Sequence, residues 1–185
     1  MDGSGNVFVA DTGNNRIDKF DSTGTFLLTF GWGVKDGATA FEICTSGCQI
    51  GNYGFGDGRF YFPLGVAVDG SGNVFVADTS NSRVQEFDNT GTFLTAWGGY
   101  GTGAGEFEAP TGIAVDASGS VFVTDTGYNR IQKFTNTGTF LTMWGSFGSG
   151  NGQFDSPYGV ALDGSGNVFV VDVNNNRIEK FGCPL

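Results

Sequence analysis

The chain of 185 residues has no histidine, 4 prolines, 3 cysteines and 9 lysines or arginines against 19 aspartates or glutamates. Each scarcity narrows the possible functions. Without His the commonest general base and metal ligand near neutral pH is missing. A formal net charge of −10 disfavours a phosphate-binding face, and with it nucleic acid as a partner. No apolar run approaches the ~20 residues of a bilayer span, so no membrane span is expected. The opening Met1-Asp2-Gly3-Ser4-Gly5 offers neither the basic nor the apolar stretch of a signal peptide. Few Pro, and no Gly at every third position, exclude a collagen-like rod. What is plentiful is Gly, at 33 residues, and Phe, at 19. So much Gly suits turns rather than helices, while 39% hydrophobic residues suffice for a core and argue against disorder.

The Gly and Phe are organised by repetition. Val66-Ala67-Val68-Asp69-Gly70-Ser71-Gly72-Asn73-Val74-Phe75-Val76-Ala77-Asp78 recurs at Ile113 to Asp125 and at Val160 to Asp172. The steps from Asp69 to Asp116 to Asp163 are 47 residues each, and Arg83, Arg130 and Arg177 keep the same interval. Arg16 lies 67 residues before Arg83, so the first interval carries 20 extra residues, between Phe30 and Arg59. One unit reads as four short strands. A small, apolar first strand such as Gly65 to Val68 suits a crowded innermost position. An Asp-Gly-Ser-Gly-Asn turn leads to Val74 to Ala77, closing a hairpin. A polar loop then leads to the alternating strand Arg83 to Phe87, and a second turn to Thr92 to Trp97. Four strands with tight connections predict an all-β chain of four-stranded antiparallel blades, the period of a β-propeller.

The pattern is also specific. Pro63-Leu64-Gly65-Val66-Ala67-Val68-Asp69, then Gly72-Asn73-Val74-Phe75-Val76-Ala77-Asp78-Thr79, then Asn129-Arg130-Ile131-Gln132-Lys133-Phe134, resembles the NHL repeat family over nearly the whole chain. The resemblance implies a propeller that most often serves as a binding platform and occasionally as a lyase. The units divide residues 1–185 into blade 1 (1–33), an insertion (34–58), blade 2 (59–100), blade 3 (101–147) and a partial blade 4 (148–185). About four blades result, with three, four, four and three strands. Blade 1 lacks an innermost strand and blade 4 an outermost one. Uncovered blade faces call for a neighbour, either missing blades of a longer chain or a homo-oligomer that completes the ring.

Most of the polar residues recur in every unit, and a catalytic residue need occur only once. Asp11/Arg16, Asp78/Arg83, Asp125/Arg130 and Asp172/Arg177 repeat at a separation of five, as structural pairs would. Asp69, Asp116 and Asp163 could ring a channel mouth and hold a hard cation, but each also stands where a carboxylate caps its own turn, and the capping role is expected. Phe30, Trp97 and Trp144 form one column and Phe60, Phe107 and Phe154 another, as blade-to-blade packing requires. The Gly-rich linkers vary most between copies, and loops on a rigid scaffold are where binding resides. Tyr100, Tyr128 and Phe147 are the aromatics on these loops that look least tied to a column, and they mark the expected binding surface.

Cys44 and Cys48, inside the insertion, have the spacing to close a small disulfide loop worth ~2 kcal/mol on the chain-entropy estimate. That bond would place the chain in an oxidising compartment, extracellular or at the cell surface. Cys183 is left over. No cofactor is expected. The function expected is a noncatalytic binding or scaffold propeller, taking a protein or small ligand, within a larger extracellular or surface protein. The alternative is a propeller-type lyase or lactonase-like hydrolase using a carboxylate-bound metal, which would need a non-repeating carboxylate cluster at the channel.

Overall fold

The computed structural model describes residues 1–182; Cys183 lies outside them. Fifteen strands form among them: β1 (Val7–Asp11), β2 (Arg16–Phe20), β3 (Phe26–Trp32), β4 (Phe41–Cys44), β5 (Pro63–Val68), β6 (Val74–Asp78), β7 (Arg83–Phe87), β8 (Phe93–Gly98), β9 (Pro110–Val115), β10 (Val121–Asp125), β11 (Arg130–Phe134), β12 (Phe140–Trp144), β13 (Pro157–Leu162), β14 (Val168–Asp172) and β15 (Arg177–Phe181). They make four antiparallel sheets, ordered β1-β2-β3-β4, β5-β6-β7-β8, β9-β10-β11-β12 and β13-β14-β15. These are successive β-propeller blades. Each strand pairs with its neighbour in sequence, so tight turns suffice and no crossover is needed. No helix among the described residues is long and apolar enough to cross a membrane.

One expectation needs correction. Blade 1 has four strands and not three, because the insertion supplies β4, which pairs with β3 through Thr29–Cys44 and Trp32–Phe41. It extends the sheet outward, so the innermost position ahead of β1 stays without a strand among the described residues. Phe41-Glu42-Ile43-Cys44 has no counterpart in the other units, so no repeat column announces it.

The core lies between blades. At the first seam Phe8, Ile17 and Phe30 of blade 1 meet Val74, Val76 and Phe87 of blade 2, with Phe60 of the linker between them. At the second, Phe75, Ala77 and Val84 meet Val121, Val123 and Phe134 around Phe107. At the third, Phe122 and Ile131 meet Val168 and Val170 around Phe154. The linker rings stand 5.4, 5.6 and 5.8 Å from Phe87, Phe134 and Phe181. The Phe60, Phe107 and Phe154 column therefore packs as its regularity predicts, and so does the Phe30, Trp97 and Trp144 column, whose two Trp pack partly buried against the second and third seams.

At the centre, inner strands approach so closely that no side chain fits. A Cβ on Gly65 would collide with the Thr111 carbonyl of the next blade, and one on Gly112 with the Tyr158 carbonyl. Replacing Gly112 by Ala should therefore force the inner strands apart, at a cost of ~1–3 kcal/mol by analogy with overpacked cores. Thermal melts should show a drop of ~2–4 °C for each kcal/mol. Gly164→Ala, at a site with nothing within 4 Å, should melt almost like the parent.

Candidate functional site

The loop between the second and third strands of each blade is built around the repeated Asp and Arg. Asn15, Ser82, Asn129 and Asn176 take left-handed backbone angles, φ 49°, 53°, 53° and 52°, which turn the chain back and aim the following Arg at the Asp. The Arg16, Arg83, Arg130 and Arg177 Nε groups then donate to Asp11, Asp78, Asp125 and Asp172 at 3.0, 2.8, 2.8 and 2.8 Å. The rest of each guanidinium grips a linker. Arg130 donates to the Thr102, Gly103 and Glu106 carbonyls at 2.6, 3.2 and 2.8 Å. Arg177 holds Ser149, Gly150 and Gln153 at 2.8, 2.9 and 2.7 Å, and Arg83 holds Gly56 and Arg59. The Asp–Arg pair is thus a clasp that fixes the linker entering its blade.

Blade 1 shows how general the requirement is. Arg16 donates instead to the Gln49 carbonyl at 2.9 Å, within the insertion. Cys44 and Cys48 are joined by a disulfide, with Cα atoms 5.7 Å apart. It closes the turn just ahead of Gln49, whose own N–H donates to the Val34 carbonyl at 2.7 Å. The environment of the acids varies along the chain. Burial pushes the Asp78 carboxyl up against the hydrogen bonds it receives. At Asp172 burial is outweighed by hydrogen bonds from Asp155, Asn175 and Arg177, and the carboxyl is held down.

The turn carboxylates are committed to backbone. One oxygen of Asp69 accepts from the Ser71 and Asn73 N–H groups at 2.9 and 2.8 Å; Asp116 accepts from Ser118 and Ser120, and Asp163 from Ser165 and Asn167, in the same way. The capping role accounts for their recurrence, and among the described residues no three carboxylates or thiols gather where they could hold a metal ion.

The linkers carry the exposed aromatics. Gly98 and Gly145 let the chain leave the outer strand at φ 113° and 106°, in places where a Cβ would press on Phe107 and Phe154 at 2.9 and 2.7 Å. Two residues on, Tyr100 and Phe147 form isolated parallel bridges with those same buried Phe residues. Tyr100 and Phe147 are therefore column residues, 47 apart, and Tyr53 stands 47 before Tyr100. This corrects their reading as the least column-bound aromatics. Tyr53, Tyr100 and Phe147 are 67%, 72% and 69% exposed. Tyr128 sits on the adjoining loop of blade 3, under the Arg130 guanidinium at 5.2 Å. The neighbouring Tyr100 hydroxyl is the main cause that pushes the Tyr128 phenol up to about 12. The structure thus brings Tyr100 and Tyr128 together and leaves Phe147 one blade away. It adds Tyr53, whose ring stands 5.1 Å from Tyr61.

One residue breaks the repeat inside a seam. Lys19, Lys133 and Lys180 occupy one column, over the Phe8, Phe122 and Phe169 rings at 5.0, 5.1 and 5.3 Å. Blade 2 has Glu86 there, opposite Phe75 and buried. Burial first, and the Asp69 charge second, raise its carboxyl to about 7.

Comparison with known proteins places this geometry. The model of the NHL repeat matches residues 60–87, 107–134 and 154–181, each stretch running from a linker Phe to the last Phe of a third strand. The chain is 50% identical over 46 residues to the Caenorhabditis elegans B-box type zinc finger protein ncl-1, covering 25% of this chain and 5% of that protein. It is 43% identical over 60 residues to the chicken E3 ubiquitin-protein ligase TRIM71, covering 32% and 7%. The chain therefore spans only a small part of the curated relatives it matches. Among solved structures, a streptogramin B lyase superposes with a TM-score of 0.55 at 14% identity, over 99% of this chain and 67% of that one. That likeness is one of fold.

Two outcomes follow from the clasp and from the exception. Arg130→Ala leaves a buried Asp125 without its cation and the Thr102 carbonyl without its donor, while the Gly103 and Glu106 carbonyls keep the Glu106 N–H and Gln132 Nε2. A loss of ~3–5 kcal/mol is expected in denaturant melts, and any loss of binding should be no larger than the loss of folded protein. For Glu86 the fold favours the protonated form, so its contribution is full below the ordinary value of 4.5 and is lost as pH rises through about 7. Glu86→Gln should melt higher than the parent above pH 7, and melts in a pH series should show the difference closing toward pH 4.5.

Proposed function

Because the chain carries three successive NHL repeats, at residues 60–87, 107–134 and 154–181, we propose that it is a noncatalytic binding propeller that presents its linker face to a protein partner. The observation that carries this reading is the division of labour between its residues. The polar groups that repeat are consumed by the scaffold: the Asp–Arg clasps hold linkers and the turn Asp residues hold turns. What the scaffold leaves over on the linker face is aromatic. Tyr53, Tyr100 and Phe147, with Tyr61 and Tyr128 beside them, present rings from linkers that the clasps make rigid. Exposed rings on a fixed backbone lose little conformational freedom on binding and bury much area, as interface anchors do.

The acidic balance of 19 carboxylates against 9 cations favours a partner that is not itself strongly anionic. The Cys44–Cys48 bond supports an oxidising location, so the reading extends to a role within a larger extracellular or surface protein.

The test is selective loss. Tyr100→Ala and Phe147→Ala, both at exposed positions, should leave the melting temperature within about a degree. Each should weaken capture of partners from an extracellular fraction by roughly tenfold, the ~1.4 kcal/mol of a modest anchor. Unchanged capture by the doubly substituted chain would remove the linker face from the account.

A further inference from the structure

At the blade ends away from the linkers, a lysine ammonium stands beside a turn carboxylate in three blades of the four. Lys19 Nζ lies 3.8 Å from Asp2, in the turn that leads into β1, and donates to the Asn89 carbonyl of the next blade at 2.8 Å. Asn89 belongs to the turn between the last two strands of that blade, closed by the Gly91 N–H on the Asp88 carbonyl. Lys133 and Lys180 stand close enough to Asp116 and Asp163 for their charges to act on those carboxylates. In each of these blades one positive charge therefore faces one negative charge.

Blade 2 has the acid without the base. Glu86 pairs with Phe75 in the same register that sets Lys19 opposite Phe8, Lys133 opposite Phe122 and Lys180 opposite Phe169, so its side chain enters the equivalent space. Glu86 is 6% exposed, and among the described residues neither a hydrogen-bond donor nor a cation reaches its carboxylate. The charge it does meet is that of Asp69, the turn carboxylate of its own blade, and the two repel. Oδ2 of Asp69 receives only the Asn73 amide, at 3.2 Å, which leaves it lone pairs to share. The Asn136 carbonyl, 47 residues beyond that of Asn89, comes from the matching turn of blade 3, closed by the Gly138 N–H on the Thr135 carbonyl. Two carboxylates and a backbone carbonyl are thus brought to the position where Lys19 places its ammonium. A buried carboxylate with no partner is a costly arrangement that a bound cation relieves.

We propose that Glu86, Asp69 and the Asn136 carbonyl bind a calcium ion in the seam between blades 2 and 3, in the place that a lysine ammonium holds in the other blades. The ligands are all oxygen, which suits a hard cation, and two carboxylates balance a double charge. The set is irregular, drawn from a strand, a turn of the same blade and a turn of the next, with water completing the shell. Calcium accepts such sets, whereas magnesium demands a near-ideal octahedron. The ion ties blade 2 to blade 3, as Lys19 ties blade 1 to blade 2.

Titration calorimetry of calcium chloride into the whole chain, freed of metal with EDTA and desalted at about pH 8, should show one site with a Kd of ~0.1–1 mM. Thermal melts in about 10 mM calcium should lie ~3–10 °C above melts in EDTA, and magnesium should give less than half that rise. Glu86→Gln should fold and bind calcium at least ~10-fold more weakly, the effect of losing one charged ligand. Glu86→Lys, which restores the residue of the other three blades, should melt in EDTA at least as high as the parent and show no calcium response. A parent with no saturable site in the millimolar range, a Glu86→Gln chain that binds calcium as tightly as the parent, or a magnesium response equal to that of calcium would overturn the proposal.

Discussion

The seam between blades is the constraint on which everything else in this molecule rests. A single blade buries almost nothing by itself, because both faces of its sheet are apolar and its strands are short. Two blades become stable together when a Phe-small-aliphatic face meets a Val-Val-Phe face with a linker Phe between them. This explains why the same columns recur with so little change. It also explains why the linkers, which vary most in sequence, must be pinned at fixed points. A linker that shifted would withdraw Phe60, Phe107 or Phe154 from the core. The Asp–Arg clasp prevents this by spending a buried ion pair on backbone carbonyls, an arrangement that gives position more than net energy.

Once the repeated residues are assigned to seams, clasps and turns, the exceptions become informative. Glu86 stands where three blades have Lys, and burial in the seam between blades 2 and 3 raises its carboxyl to about 7. Val173 stands where three blades have Thr, and it makes the far face of blade 4 unlike an internal seam. The insertion supplies β4 and the disulfide, and brings Gln49 to an Arg16 whose own entering linker is not among the described residues. Each exception changes one local interaction while leaving the blade intact. A repeat scaffold can acquire specific surfaces in this way without a new fold.

Much of this was legible in the sequence, and the parts that were not share a physical cause. The period, the four strands of a complete blade, the aromatic columns and the spacing of Asp78 and Arg83 are side-chain patterns, and side chains are what a sequence records. The linker carbonyls that Arg130 grips are backbone groups some 24 to 28 residues away, and any residue could supply them. β4 is not legible in the sequence, because Phe41 to Cys44 has no second copy in the other units. Tyr100 and Phe147 read as aromatics not tied to a column because the Gly-rich runs around them vary, although with Tyr53 their 47-residue spacing places them in one. The bridges from Tyr100 and Phe147 to Phe107 and Phe154 show why the column exists.

Native-state hydrogen exchange tests the primacy of the seam most directly. If seams carry the stability, the amides of β6, β7, β10 and β11, in blades packed on both faces, should exchange only through global unfolding. Those of β14 and β15, in a blade covered on one face, should exchange faster through local opening. Uniform protection across all four blades, or slowest exchange in β14 and β15, would contradict the account and place the stability inside each sheet.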